Sequence, residues 1–248
     1  HKSIILQMSN FFSLIGIKNI HISSRQIIIL NFFVITSCIC FLMAAVTGSV
    51  NVPIENLIRG DISELTKIVL IEIRLPRVIL AALVGASLGI SGAALQGLFR
   101  NPLADPGLIG VSAGAALGAT LVIVLGSSIS GGLFLGSFLL PLGAITGAML
   151  VIMMLYLLTK GFGYQGVTYM LLVGIAVNAI AGVGIGILTF VSTDSELRGL
   201  TFWTMGSFGG VTWPLLIPAI AIILISISSM MTVSRNLDLI QLGEPEAY

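Results

Sequence analysis

The property that most restricts what this chain can fold into is the distance it runs without a charge. Gln26 to Ile54, Pro106 to Thr159, Gly161 to Thr193 and Gly199 to Ser234 contain no Asp, Glu, Lys or Arg, and Val78 to Phe99 is a further apolar stretch. A helix needs about 20 apolar residues to cross the hydrocarbon of a bilayer, so each run is long enough and the second can cross twice. The Gly131-Gly132 pair and Pro141 mark the turn between its two crossings and the start of the next helix. The reading is an all-α polytopic membrane protein with six spans, near 27 to 48, 78 to 99, 107 to 127, 133 to 158, 168 to 191 and 211 to 233. Residues 1–26 then form an N-terminal cytosolic arm, 27–233 the transmembrane domain, and 234–248 the start of a cytosolic segment. The first run is too long for the core of a cleavable signal and lacks a small-residue cleavage site, so it stays in the mature protein.

Composition excludes several functions. Only 8% of the 248 residues are charged, against roughly 25% in a soluble domain. The formal charge of +1 provides no basic excess to neutralise phosphates along a nucleic acid. Cys38 and Cys40 lie inside an apolar run, too close for an unstrained disulfide and without partners for a metal, and read as packing residues. Ion-coupled carriers place a carboxylate or histidine near the midplane, yet the six predicted interiors hold none. No Ser/His/Asp constellation and no H-E-x-x-H is present, so the chain is not read as an enzyme. No G-x-x-x-x-G-K-[ST] loop is present either, so any ATP that drives transport must be hydrolysed elsewhere. A permease subunit, a channel and a scaffold all remain open on these grounds.

Orientation rests on local charge. With the N-terminus inside, the inner segments hold Lys2, Lys18, Arg25, Arg100, Lys160 and Arg235, and the outer ones Arg59, Lys67, Arg74, Arg77 and Arg198. That balance is nearly even, but the arm before the first span is basic with no acid, which places it in the cytosol. Glycines recur at spacing four, at Gly85/Gly89, Gly110/Gly114/Gly118, Gly132/Gly136, Gly143/Gly147 and Gly182/Gly186, a pattern that lets helix backbones approach closely in lipid. Between the first two spans, Val52 to Leu70 has Ile54, Leu57, Ile58, Ile62, Leu65 and Ile68 at helical spacing among charges, as in a surface amphipathic helix.

Three patches carry a family resemblance. Arg74-Leu75-Pro76-Arg77, then Gly85, Ser91-Gly92, Gln96 and Arg100-Asn101-Pro102-Leu103-Ala104-Asp105-Pro106-Gly107, with Gly110 and Gly114 beyond, resembles the permeases of ABC importers for iron-siderophores, haem and cobalamin. Phe202 to Gly210 with Trp213, and Leu242 to Ala247, resemble later segments of the same family. The resemblance implies an intact protein of about ten helices, of which the six spans here are a part truncated at the C-terminus. It also implies a homodimer with its passage on the two-fold axis, two ATPase subunits that bind ATP, and an extracytoplasmic substrate-binding protein. The setting it implies is a bacterial cytoplasmic (inner) membrane, with membrane lipid around the spans and no nucleic acid among the partners. No cofactor or metal is expected on the chain itself.

Site residues follow from the same resemblance. Arg74 and Arg77, three apart at a helix start, would meet acidic residues on the docked binding protein, a task suited to the bidentate guanidinium fork. Interfacial anchoring by snorkelling explains the same pair. Asn101 and Leu103 would stand near the cytosolic gate, although the proline turn alone explains a helix stop there. Val167 and Thr168 would form its narrowest point; Val167 departs from the hydroxyl-bearing residue expected there. Gly243, Glu244, Glu246 and Ala247 would open a short helix that docks on the ATPase, its acids near the positive N-terminal end. The function expected is inward movement of an iron chelate, haem or ferric siderophore, by alternating access. A cobalamin permease or an ion-coupled secondary carrier is the alternative.

Overall fold

The structure is a computed structural model that describes residues 23–48, 63–129, 136–162 and 166–242. The chain divides into two compact units, His1–Leu70 and Ile71–Tyr248. Among the described residues every regular element is helical.

In the first unit, α1 (Ser24–Val46) starts at a reciprocal cap. The Gln26 side-chain carbonyl accepts from the Ser23 N–H at 2.9 Å, and Ser23 Oγ accepts from the Gln26 N–H at 3.4 Å. No residue of α1 is buried, and Cys38 and Cys40 are free and exposed on it. The short α2 (Glu64–Ile68) is capped by Ser63, whose Oγ accepts from Thr66 N–H. The amphipathic helix expected over Val52 to Leu70 is thus helical from Glu64 onward, and its earlier part lies outside the described residues.

A π-turn (Val69–Arg74) follows, then α3 (Leu75–Phe99). The second crossing therefore belongs to a helical run of 36 residues, Glu64–Phe99, where the sequence suggested a start near Val78. The start near Val78 reflects the apolar stretch that follows Arg77; Pro76 sits in the first turn of α3, where an absent N–H costs least. At 1.5 Å per residue α3 alone is about 37 Å long, enough to cross the roughly 30 Å of hydrocarbon.

Beyond α3 come a 3-10 turn (Pro106–Ile109), α4 (Val111–Ile129), α5 (Gly136–Thr159), α6 (Gly166–Val191), the short α7 (Asp194–Met205) and α8 (Trp213–Leu242). α1, the Glu64–Phe99 run, Phe138–Thr159, α6 and Trp213–Ser234 are each long and apolar enough to cross a bilayer, and Val111–Gly126 is a shorter apolar helix. These correspond to the six expected spans. The Gly131-Gly132 turn lies outside the described residues.

α4 is the inner helix, touching α5, α6, α7 and the 3-10 turn. Its seam with α5 runs antiparallel through glycine. A Cβ built on Gly114 would stand 2.8 Å from the Gly147 carbonyl oxygen, one on Gly118 would stand 3.0 Å from the Gly143 carbonyl carbon, and one on Gly147 3.0 Å from that of Gly114. The seam with α6 runs parallel: a Cβ on Gly174 would lie 2.8 Å from Ile109 Cα, and one on Gly184 3.0 Å from Leu117 Cδ1. The spacing-four glycines therefore divide in two. Gly110, Gly114, Gly118, Gly143 and Gly147 are in close contact within the chain, whereas nothing lies within 4 Å of a Cβ at Gly85, Gly89, Gly182 or Gly186.

Substitution separates the two sets. Gly118→Ala and Gly147→Ala must push backbone apart and should each cost about 1–3 kcal/mol, whereas Gly85→Ala should change stability by less than about 0.5 kcal/mol. Thermal unfolding of the three variants in detergent checks this; equal losses would show that the seam does not limit helix approach.

Candidate functional sites at the two ends of the bundle

α3 separates two clusters by its own length, 25 residues or about 37 Å. At its start lie Arg74 and Arg77. They do not share an environment: Arg74, the last residue of the π-turn, is only 8% exposed, while Arg77 is exposed on the first turn of α3. Pro76 between them is fully buried. The first turn of α8 is fixed to the same place, because the Trp213 indole N–H donates to the Ile71 carbonyl at 3.0 Å. Leu216, one turn further along α8, is completely buried, and α3 and α8 pack against each other.

At the other end α3 stops in a Schellman pattern. Arg100 is left-handed at φ 50°, its N–H donates to the Gly97 carbonyl at 3.2 Å, and the Asn101 N–H donates to the Gln96 carbonyl at 3.1 Å. The following residues are turned by their own side chains. Asn101 Oδ1 accepts from the Leu103 N–H at 2.9 Å, and Asp105 Oδ1 accepts from the Gly107 N–H, which opens the 3-10 turn. Gly110 closes that turn at φ 82° with a Cβ position 3.1 Å from the Gly174 carbonyl oxygen, so glycine is required there by both conformation and space. The motif from Asn101 to Gly110 is thus a self-capped corner, and Leu103 stands out from it, 86% exposed.

α6 buttresses this corner. Asn178 Nδ2 donates to the Gly107 carbonyl at 2.9 Å, a bond between residues 71 apart, and Val177 packs with Ile109, Val151 and Leu155 in the main apolar cluster. Val167 and Thr168 lie in the first turn of α6, Val167 half-buried and Thr168 exposed, beside the stacked rings of Phe162 and Tyr169. The contact that joins α6 to the corner is therefore at Gly174, Val177 and Asn178, about two turns beyond Val167 and Thr168. Gly243, Glu244, Glu246 and Ala247 lie outside the described residues.

A cavity of about 470 Å³ opens beside the corner, lined among others by Ser91, Leu95, Pro106, Ile109, Tyr156 and Met170. Two of its four hydroxyls are spent on their own helices, Ser91 Oγ donating to the Ser87 carbonyl at 2.7 Å and Thr159 Oγ1 to the Leu155 carbonyl at 2.7 Å, while Ser112 and Tyr156 also line it. Such walls give a bulky solute shape contact and few hydrogen bonds. Among the described residues no group of three or more His, Cys, Asp or Glu is placed to hold a metal.

The sequence reading did not single out Asn178, Gly174 or the Trp213 bond. Asn178 is the one amide side chain in α6, an available signal, since a lone amide in an apolar span needs a partner. The acceptors, backbone carbonyls of Gly107 and Ile71, leave no trace in a sequence.

An all-helical, multi-pass membrane protein with a glycine seam and distinct clusters at opposite ends is the class this architecture defines. The chain belongs to the FecCD transport family, which matches residues 34–248. It is 38% identical over 221 residues to the hemin transport system permease protein HmuU of Yersinia pestis, covering 89% of this chain and 65% of that protein. It is 34% identical to the cobalamin import system permease protein BtuC of Halobacterium salinarum, covering 75% of this chain and 48% of the relative. It is also 34% identical to the molybdate import system permease protein MolB of Haemophilus influenzae, covering 75% of this chain and 53% of the relative. The chain thus spans about half to two thirds of the length of these relatives. Among solved structures, a transporter assigned to the metal-chelate ABC type, in an inward-facing conformation, superposes with TM-score 0.74 at 29% identity, covering 88% of this chain and 66% of that one.

Asn178→Leu removes the donor to Gly107 and should release the corner by about 1 kcal/mol, within the range measured for hydrogen bonds between membrane helices. Amide exchange over residues 104–110 should then accelerate several-fold while exchange across α4 and α5 stays unchanged; an unchanged corner would mean that the bond contributes nothing.

Proposed function

We propose that the intact protein is the permease subunit of an ATP-driven importer that moves an iron chelate, haem or a ferric siderophore, inward across a bacterial cytoplasmic membrane by alternating access. The observation that carries this is the family match across residues 34–248, with a hemin permease among the relatives covered most fully. The protein works as a homodimer with two ATPase subunits and an extracytoplasmic binding protein. ATP is bound and hydrolysed on the partner, and this chain breaks no bond in the substrate.

Each cluster has a role in that reading. Arg77, exposed at the outer end, and Arg74 beside it form the edge that receives acidic groups of the binding protein. The corner bearing Asn101 and Leu103, with Val167 and Thr168 at the start of α6, forms the inner gate. Gly243, Glu244, Glu246 and Ala247 begin the helix that meets the ATPase. The mainly apolar cavity beside the corner suits a passage that must release its cargo, because walls with few polar groups hold a chelate weakly.

The test is uptake of radiolabelled iron, offered separately as haem and as a ferric siderophore, into proteoliposomes holding the full-length permease, its ATPase and its binding protein. ATP-dependent accumulation of one chelate is expected. Accumulation of cobalamin or molybdate in place of iron would move the substrate to those relatives' class, and failure of any ATPase to co-purify would contradict the importer reading.

Charge reversal gives a second check. Arg77→Glu should weaken binding-protein affinity at least tenfold at low salt, with the deficit narrowing as salt rises, since screening removes both attraction and repulsion. Unchanged affinity, measured by surface plasmon resonance at both salt concentrations, would contradict the docking role.

A further inference from the structure

The Trp213 bond has a specific cause in the π-turn. In a π-turn each N–H donates to the carbonyl five residues back. Continuing the series of the Val69–Arg74 turn, the donor for the Ile71 carbonyl would be residue 76, and residue 76 is proline, which has no N–H. The Trp213 indole N–H occupies that place at 3.0 Å. If the turn tightened to α geometry, the Leu75 N–H would compete for the same carbonyl, since α donors reach four residues back. The indole bond and the π register therefore favour each other.

The register matters to Arg77 because one residue of helix is about 100° of rotation. A change from π to α geometry between Ile71 and Pro76 would turn Arg77 by that angle relative to Ile71. The observed register leaves Arg74 buried and Arg77 exposed, with Pro76 sealed between them. We propose that Trp213 is a positioning residue for the outer docking edge: its indole N–H replaces the donor that Pro76 lacks, selects the π register, and so fixes where Arg77 is presented. This rests on the docking role proposed above for Arg77.

The test uses the full-length permease with its ATPase in nanodiscs, and its cognate substrate-binding protein as the probe. Trp213→Phe keeps an aromatic ring and removes only the donor. It should accelerate amide exchange over residues 69–75 and weaken binding-protein affinity, each by about fivefold, the scale of one hydrogen bond. Pro76→Ala supplies the missing N–H, so in the Pro76→Ala background Trp213→Phe should change neither quantity by more than about twofold. A loss of the same size with and without Pro76→Ala means that Trp213 acts by packing, and overturns the proposal. Unchanged exchange in Trp213→Phe overturns it as well. Arg77→Glu separates the two ideas: if it weakens binding and Trp213→Phe does not, the positioning role alone is wrong. If Arg77→Glu binds normally, the docking role fails, and with it the claim that Trp213 acts through Arg77.

Discussion

Backbone contact at glycine is the constraint on which this structure depends. Between helices in lipid the hydrophobic effect offers little, because a leucine loses nothing by facing an acyl chain instead of another leucine. Attraction must come from dispersion at short range, and that grows with how closely two backbones approach. Gly114, Gly118, Gly143 and Gly147 allow α4 and α5 to meet backbone to backbone, and Gly110 and Gly174 do the same between the corner and α6. Among the described residues the largest fully buried side chains are Leu216 and Pro76, so glycine rather than a leucine-rich core sets the spacing.

Two polar bonds complement that seam, one at each end of α3. Asn178 holds the corner after α3 through the Gly107 carbonyl, and Trp213 holds the π-turn before it through the Ile71 carbonyl. In each case a side chain from a distant helix satisfies a carbonyl in an interrupted stretch of helix, where an unpaired group facing lipid would be costly. At these two places the irregular backbone lies where protein can satisfy it. These are also the places where docking and gating are proposed. A transporter needs segments that can change shape, and broken helix turns with one removable bond are better suited to that than the glycine seam.

How much of this was legible in the sequence depended on which atoms carry the information. The spans could be read because a charge in hydrocarbon is expensive, so charge-free runs mark them directly. α3 starts ahead of Val78 because a charge-free run marks only the apolar part of a helix, and here the helical backbone extends back through Arg77, Pro76 and the π-turn. Spacing-four glycines look alike in sequence, yet Gly114 and Gly147 face each other while Gly85 and Gly89 are open, a distinction that requires knowing which helices are neighbours. Arg74 and Arg77 were identifiable as a pair but not as one buried and one exposed residue. In the Asn101 to Gly110 motif the helix stop before Pro102 was legible, whereas the turns made by the Asn101 and Asp105 side chains and the left-handed Gly110 emerged only from the structure.

The central claim is that the Trp213 end and the Leu103 end of the bundle face opposite sides of the membrane, the first outward. Cysteine labelling in intact cells tests it most directly, in a background with Cys38 and Cys40 replaced by serine. A single cysteine at exposed Thr212, next to Trp213, should react with a membrane-impermeant maleimide in intact cells, whereas one at exposed Leu103 should react only after permeabilisation. The reverse pattern, or labelling of both positions from outside, would contradict the account.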